Sequence, residues 1–141
     1  MTASVMALHA SHAGRAPLEA LQSAQVIEAA GLEGDRHSKA GNRRALLLMD
    51  HEVLEHFGLV PGAVREQITV KGLDLPKLVL GTRLLIGGAV LEIGHACDPC
   101  ELMDAIRPGL QRELEGRRGR FARVVRGGPI AVGDVITVQS S

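Results

Sequence analysis

Short apolar segments alternate with glycine-rich polar stretches along this chain, and the segments define the expected elements. Ser4 to His9 and Ala24 to Glu28 read as strands, although the alternation at the start is imperfect. Ala45 to Met49 is an unbroken apolar run, the pattern of a strand covered on both faces. Glu66 to Val70, Arg83 to Ile86, Ala89 to Ile93, Phe121 to Val125 and Val135 to Val138 are short segments rich in Val and Ile, which suit a pleated, half-buried surface. Gly87-Gly88 joins two of them as a two-residue hairpin. Helical signals are fewer. Asp50 is placed to cap a short helix through Phe57, closed by Gly58. Asp98-Pro99 opens a second helical stretch to about Arg107 with Pro99 at its first position, and Leu110 to Leu114 forms another turn. Several short strands, Gly-rich turns and few long helices predict a mainly β fold, a barrel or a sandwich, rather than a βαβ sheet. No repeat, heptad or linker divides residues 1–141, which predicts one domain.

Composition narrows the function classes. With 141 residues, 45% apolar and 23% charged, the chain has the make-up of an ordinary globular domain. No apolar run approaches the ~20 residues that cross a bilayer, and no charged-then-apolar leader opens the chain, so a cytoplasmic location away from membranes is expected. Phe57 and Phe121 are the only aromatics besides histidine, and net charge is zero. Neither a stacking platform nor an electrostatic footprint for nucleic acid is present. Yet 13 of the 16 basic residues are Arg, whose planar fork suits phosphate or carboxylate. Seven of them fall between Arg107 and Arg126, against only Glu113 and Glu115.

Three constellations could carry chemistry. Cys97-Asp98-Pro99-Cys100 supplies two of the four ligands a zinc site needs, lacks the βαβ context of a thioredoxin-like redox pair, and is also consistent with one structural and one incidental cysteine. Cys100 falls within the first turn of the expected helix, where free N–H groups and the helix dipole favour a thiolate that can attack sulfur, hold it as a persulfide or bind a soft metal. In the loop Gly31 to Arg44, Gly34-Asp35-Arg36-His37 offers an ion pair and a histidine able to exchange protons near neutral pH, or simply a turn pinned by Asp35. Gly116 to Arg123 reads as a solvated Arg face or as an oxyanion cradle, with Arg118 and Arg120 sharing a face if the strand has begun there. His9, His12, His51, His56 and His95 show no metal-ligand spacing.

Taken in order, these pieces resemble the MOSC domain, the C-terminal module of molybdenum cofactor sulfurases that also occurs as small stand-alone bacterial proteins. The resemblance rests on Gly31 to His37, Glu66 to Val70 with Gly72 to Leu75, Gly81 to Leu84, and Cys97 to Cys100. Gly116 to Gly119, Ala122 to Val124 and Gly128 to Asp134 continue it. It implies a MOSC-type β-barrel with a few short helices. It also implies that Cys100 is the functional thiol, carrying sulfur as a persulfide or ligating the metal of the molybdenum cofactor (molybdopterin). The sulfur donor would be a cysteine desulfurase, with pyridoxal phosphate on that partner only. Some relatives reduce N-hydroxylated compounds with the cofactor and a redox partner. By matched motif Asp35, Arg36 and His37 would lie at the site, with Arg118 and Arg123 as anion contacts.

Two departures from the family pattern stand out. Gln67 occupies a position where the family often has Asn. These 141 residues show no iron–sulfur or flavin motif and no match to the separate N-terminal barrel of the larger cofactor-dependent reductases, so a reductant is expected to come from elsewhere. Two other readings remain: a reversible Cys97–Cys100 disulfide, and a non-catalytic anion-binding module with incidental thiols.

Overall fold

The computed structural model describes residues 2–139. In chain order the elements are β1 (Ala3–Ala10), β2 (Glu19–Leu21), β3 (Ser23–Val26), β4 (Leu46–Asp50), α1 (His51–His56) and β5 (Ile68–Lys71). A single 3-10 turn (Leu75–Lys77) leads to β6 (Arg83–Ile86), β7 (Ala89–Ala96), α2 (Glu101–Ile106) and α3 (Leu110–Glu113). The chain finishes with β8 (Arg120–Arg126), β9 (Gly128–Ala131) and β10 (Val135–Gln139).

Seven strands close into a barrel in the order β1-β10-β6-β7-β8-β4-β5, and β5 returns to β1. Every pairing in it is antiparallel except β4 with β5. Strand β2 extends the sheet as a hairpin on β1, and β3 with β9 makes a separate two-stranded ribbon. The parallel step needs a crossover. Residues 51–67 provide it, and the end of that crossover is one wall of the site described below.

The apolar run at β4 explains the layering. Leu46 and Leu48 point into the barrel core with Val5, Leu8, Ile68, Leu91 and Val124. On the other face, Met49 joins Leu54, Val64, Met103, Leu110 and Leu114, which seat the three helices, while Leu47 packs on Cys97 and Phe121. Both faces are covered, as an unbroken run requires.

The short strands and the three helices stand close to their expected positions. Two strands were not anticipated. Glu19–Leu21 has no alternation, and β9 contains Pro129, which only a ribbon edge tolerates. Two capping expectations are corrected. Asp50 sits at the N-cap of α1, but its carboxylate does not cap; Oδ2 accepts the Leu75 N–H at 2.9 Å and anchors the 3-10 turn instead. Pro99 is not in helix α2. Cys100 is its N-cap, with extended φ −123° and ψ 175°.

Candidate functional site

Three segments converge beyond the C-terminal end of β1. The backbone N–H of Ser11 donates to Asp35 Oδ2 at 2.8 Å, and Arg36 N–H donates to Ser11 O at 2.7 Å. Asp35 is 5% exposed and works as a hub rather than as a surface ion-pair partner. Its Oδ1 accepts both the backbone N–H (2.8 Å) and Nδ1 (3.0 Å) of His37. A carboxylate only accepts, so Nδ1 is the nitrogen that carries a proton toward Asp35, and Nε2 is the ring nitrogen left for other partners. The Ser11 hydroxyl accepts from Arg36 Nε (3.2 Å) and Arg65 Nη2 (3.3 Å), holding two guanidiniums side by side.

Arg65 arrives on the β4–β5 crossover with φ +63°, a left-handed backbone that Arg adopts only when its surroundings impose it. The imposition comes from Glu66. This carboxylate is fully buried and accepts the N–H groups of Gly62 and Val64 and the Thr69 hydroxyl. Gln67 locks the next step: Oε1 accepts Leu47 N–H at 2.8 Å, and Nε2 lies 3.4 Å from Asp35 Oδ2. The extra methylene relative to Asn lets one side chain brace β4 and the Asp35 hub together.

Between these segments and the end of β7 lies a cavity of about 270 Å³. Arg36, His37, Cys100 and Arg118 of the sequence-expected residues line it, with Asp35 directly behind His37. Arg44, Arg65 and Gln67 join them without having been singled out as site residues; Arg44 stacks over the Phe121 ring, 4.6 Å from its centroid. Four arginines therefore face one carboxylate, Asp98.

Arg118 is the unusual member. It is only 7% exposed, and Nη2 donates to Val64 O at 2.8 Å. Its Nε and Nη1 have no hydrogen-bond partner. Buried donors are normally satisfied, and leaving two unpaired on a cation is costly. Arg120 behaves in the opposite way. Strand β8 begins at Arg120, and Gly119 (φ +109°) turns the chain just before it, so the two arginines do not share a face. All three Arg120 nitrogens donate to carbonyls of Leu75, Leu78 and Gly94. Arg120 is a strut. Arg123 also stays away from the cavity: Nε and Nη2 grip Glu92 Oε2 at 3.1 and 2.8 Å on the outer face of β7–β8, so the expectation of an anion contact there is not met at this cavity.

The two cysteines differ. Cys100 is exposed at the cavity mouth, whereas Cys97 is 8% exposed. Burial pushes the Cys97 thiol up, and Arg118 and Arg44 pull it partly back. The backbone from Cys97 to Cys100 has neither turn nor bend. An extended tetrapeptide separates the end Cα atoms by roughly 9 Å, beyond the ~7 Å limit for a disulfide. Among the described residues no cluster of three or more His, Cys, Asp or Glu is arranged to hold a metal ion, and no helix is long and apolar enough to cross a membrane.

The fold recurs in solved structures. The YuaD protein from Bacillus subtilis superposes with a TM-score of 0.81 at 24% identity, covering 100% of this chain and 97% of that one. YiiM from Geobacillus stearothermophilus (TM-score 0.76) and YiiM from Escherichia coli (0.74) are each 18% identical, over 98% of this chain and 75% and 70% of theirs. No curated protein is significantly similar in sequence. The family model for the MOSC domain matches residues 35–137, a span that runs from the Asp35 hub through the Cys97–Cys100 segment to β10. With the barrel, the cavity and this match in agreement, the chain belongs to the MOSC domain family.

Proposed function

We propose that Cys100 is a sulfur-carrying or molybdenum-ligating thiol, and that the arginines around it hold the anionic part of the ligand. The observation that carries this reading is the juxtaposition, in the wall of one cavity, of an exposed thiol with Arg118, whose buried Nε and Nη1 have no hydrogen-bond partner. Such donors suit an oxyanion: a phosphate group satisfies both and neutralises the charge.

The residues fit the phosphorylated, sulfur-ligated molybdenum cofactor associated with the family. Arg118, Arg44 and Arg65 would hold its phosphate-bearing part, and Cys100 is the soft ligand available to the metal. When bound, the cofactor supplies a redox-active metal centre. In the carrier role, the Cys100 thiolate attacks the outer sulfur of a persulfide on a pyridoxal-phosphate-dependent cysteine desulfurase. A new S–S bond forms at Cys100, the partner's S–S bond breaks, and the partner leaves as a thiolate. His37, oriented by Asp35 through Nδ1, lines the same cavity as Cys100 and would take the thiol proton on Nε2.

The test is protein purified from a host that makes the cofactor, analysed for molybdenum and for one sulfur added to Cys100 by intact mass. The expected result is loading of one kind or the other that disappears in Cys100→Ser while the fold is kept. Loading that persists in Cys100→Ser overturns the assignment of that residue. Anion binding that needs Arg118 but not Cys100, with neither form of loading, favours the non-catalytic binding module instead.

A further inference from the structure

A second cavity, of about 470 Å³, adjoins the first and shares Arg36, Arg65 and Leu102 with it as a common wall. We infer that it binds the distal part of an extended anionic ligand, a nucleoside diphosphate group or its close equivalent, whose reactive end lies at Cys100. The inference rests on the reading of the first cavity as an anion site and adds a second half to the ligand.

The charge on this wall is one-sided. Arg15 joins Arg36 and Arg65, and no carboxylate lines the cavity, although the chain as a whole has net charge zero. Arg36 spends only Nε on the protein among the described residues, and Arg65 only Nη2, so most of their donors stay available. The guanidinium of Arg36 lies against the bare Cα of Gly14, where a side chain would meet it at 3.6 Å. Two adjacent guanidiniums shared between two cavities suit a group with more than one phosphoryl charge.

The opposite wall is apolar. Leu102 and Ile106 stand four apart on α2, 47% and 42% exposed, with Met103 buried beneath them. A concave site of this size with one polar and one apolar wall is the shape of a small-molecule pocket. With no aromatic residue in either wall of this cavity, a flat heterocycle would lie between the aliphatic side chains and a guanidinium plane. The helix carrying Leu102 and Ile106 begins at Cys100, so a ligand seated on it has its other end at the thiol.

The test measures binding of ADP, GDP, inorganic pyrophosphate and adenosine to the full chain by calorimetry, in the wild type and in Ile106→Asn and Arg15→Ala. The expected result is that a nucleoside diphosphate binds at least tenfold more tightly than pyrophosphate or adenosine. Ile106→Asn, which adds no charge, should weaken it at least tenfold and leave pyrophosphate within about twofold. Arg15→Ala should weaken both phosphates. Equal affinity for pyrophosphate and the nucleotides, no measurable binding of either, or indifference to Ile106→Asn overturns the inference. Loss of sulfur or molybdenum in Cys100→Ser without nucleotide binding removes this second half only. Nucleotide binding without any loading of Cys100 removes the thiol reading and keeps the pocket.

Discussion

Arg118 and Arg120 are equally buried, at 7% and 8% exposure, but replacing each with Met should have opposite consequences for stability. Arg120 donates through Nε and Nη2 to Gly94 O at 3.0 and 2.7 Å, and through Nη1 to Leu75 O and Leu78 O at 2.9 and 2.8 Å. In Arg120→Met the apolar stem is kept, but three carbonyls that tie the 3-10 turn to β7 lose a charged donor. Hydrogen bonds to charged groups contribute about 1.5–3 kcal/mol each, and the relief of desolvating a guanidinium offsets part of the loss. Burial already pulls the Arg120 pKa down, the sign of that desolvation. A net loss of about 3–5 kcal/mol remains. With a urea slope near ~2 kcal/mol/M, the unfolding midpoint should fall by about 2 M. Arg118→Met gives up one bond, to Val64 O, and removes two unpaired donors. Those two effects nearly cancel, so its midpoint should stay within about 0.5 M of wild type or rise, while phosphate or pyrophosphate affinity drops at least tenfold. Urea titrations followed by far-UV circular dichroism, with calorimetric anion binding, read both quantities. Equal losses of stability in the two variants would refute the idea that Arg118 is held unpaired for a ligand.

Further predictions concern other buried groups. Burial raises the Asp50 carboxyl from 3.8 to about 6. A raised carboxyl favours the folded state most below its unfolded pKa, so stability should decline between pH ~4 and ~6, by at most about 3 kcal/mol. Asp50→Asn should flatten that stretch of a pH-dependent urea series and be the more stable at pH 7. Iodoacetamide on the native protein should label Cys100 and leave the buried Cys97 until urea is added, as intact mass can count. Mild oxidation should give no internal disulfide; a loss of two hydrogens in the monomer mass would show that the extended Cys97–Cys100 segment can fold back. Gly119→Ala should cost more than 2 kcal/mol, because φ is +109° and the added Cβ runs into Leu48 O; a shift under ~0.5 kcal/mol by urea titration would contradict this.

The barrel was legible because its strands are written in short Val- and Ile-rich segments, and β6, Arg83–Ile86, even keeps the expected ends. Strand β2 was not, because its three residues carry no alternation of their own and are paired only as a hairpin on β1; β9 was not, because it contains a proline and its partner β3 lies far along the chain. At the site, Asp35, Arg36, His37 and Cys100 stand out locally, since a Gly-Asp-Arg-His loop and a Cys-x-x-Cys pair are visible as strings. Ser11 gives no such sign, yet its hydroxyl meets two arginines that lie 25 and 54 residues away. The clearest local trace that was passed over is Arg65, an arginine between Val64 and a glutamate that the fold buries completely. Arg118 and Arg120 show the other limit. Identical residues two apart became a cavity-lining cation and a strut, and the glycine between them, with its positive φ, is what sends them to different places.

Closure of the barrel rests on its shortest ladder. Among the described residues strand β1 meets β10 through Ala3↔Ile136 and Ser4↔Val135, continued by backbone bonds of Val5 with Gly133 and Asp134, whereas β6 shares four residue pairs with each of its neighbours. The seam is therefore where native-state breathing should begin, and amides there should exchange with solvent before those of β6 and β7. It sits at one end of β1, and Ser11, which organises the arginines, lies just past the other, about 20 Å away along an extended strand. A barrel that loosens at the seam can do so without disturbing the geometry around Cys100.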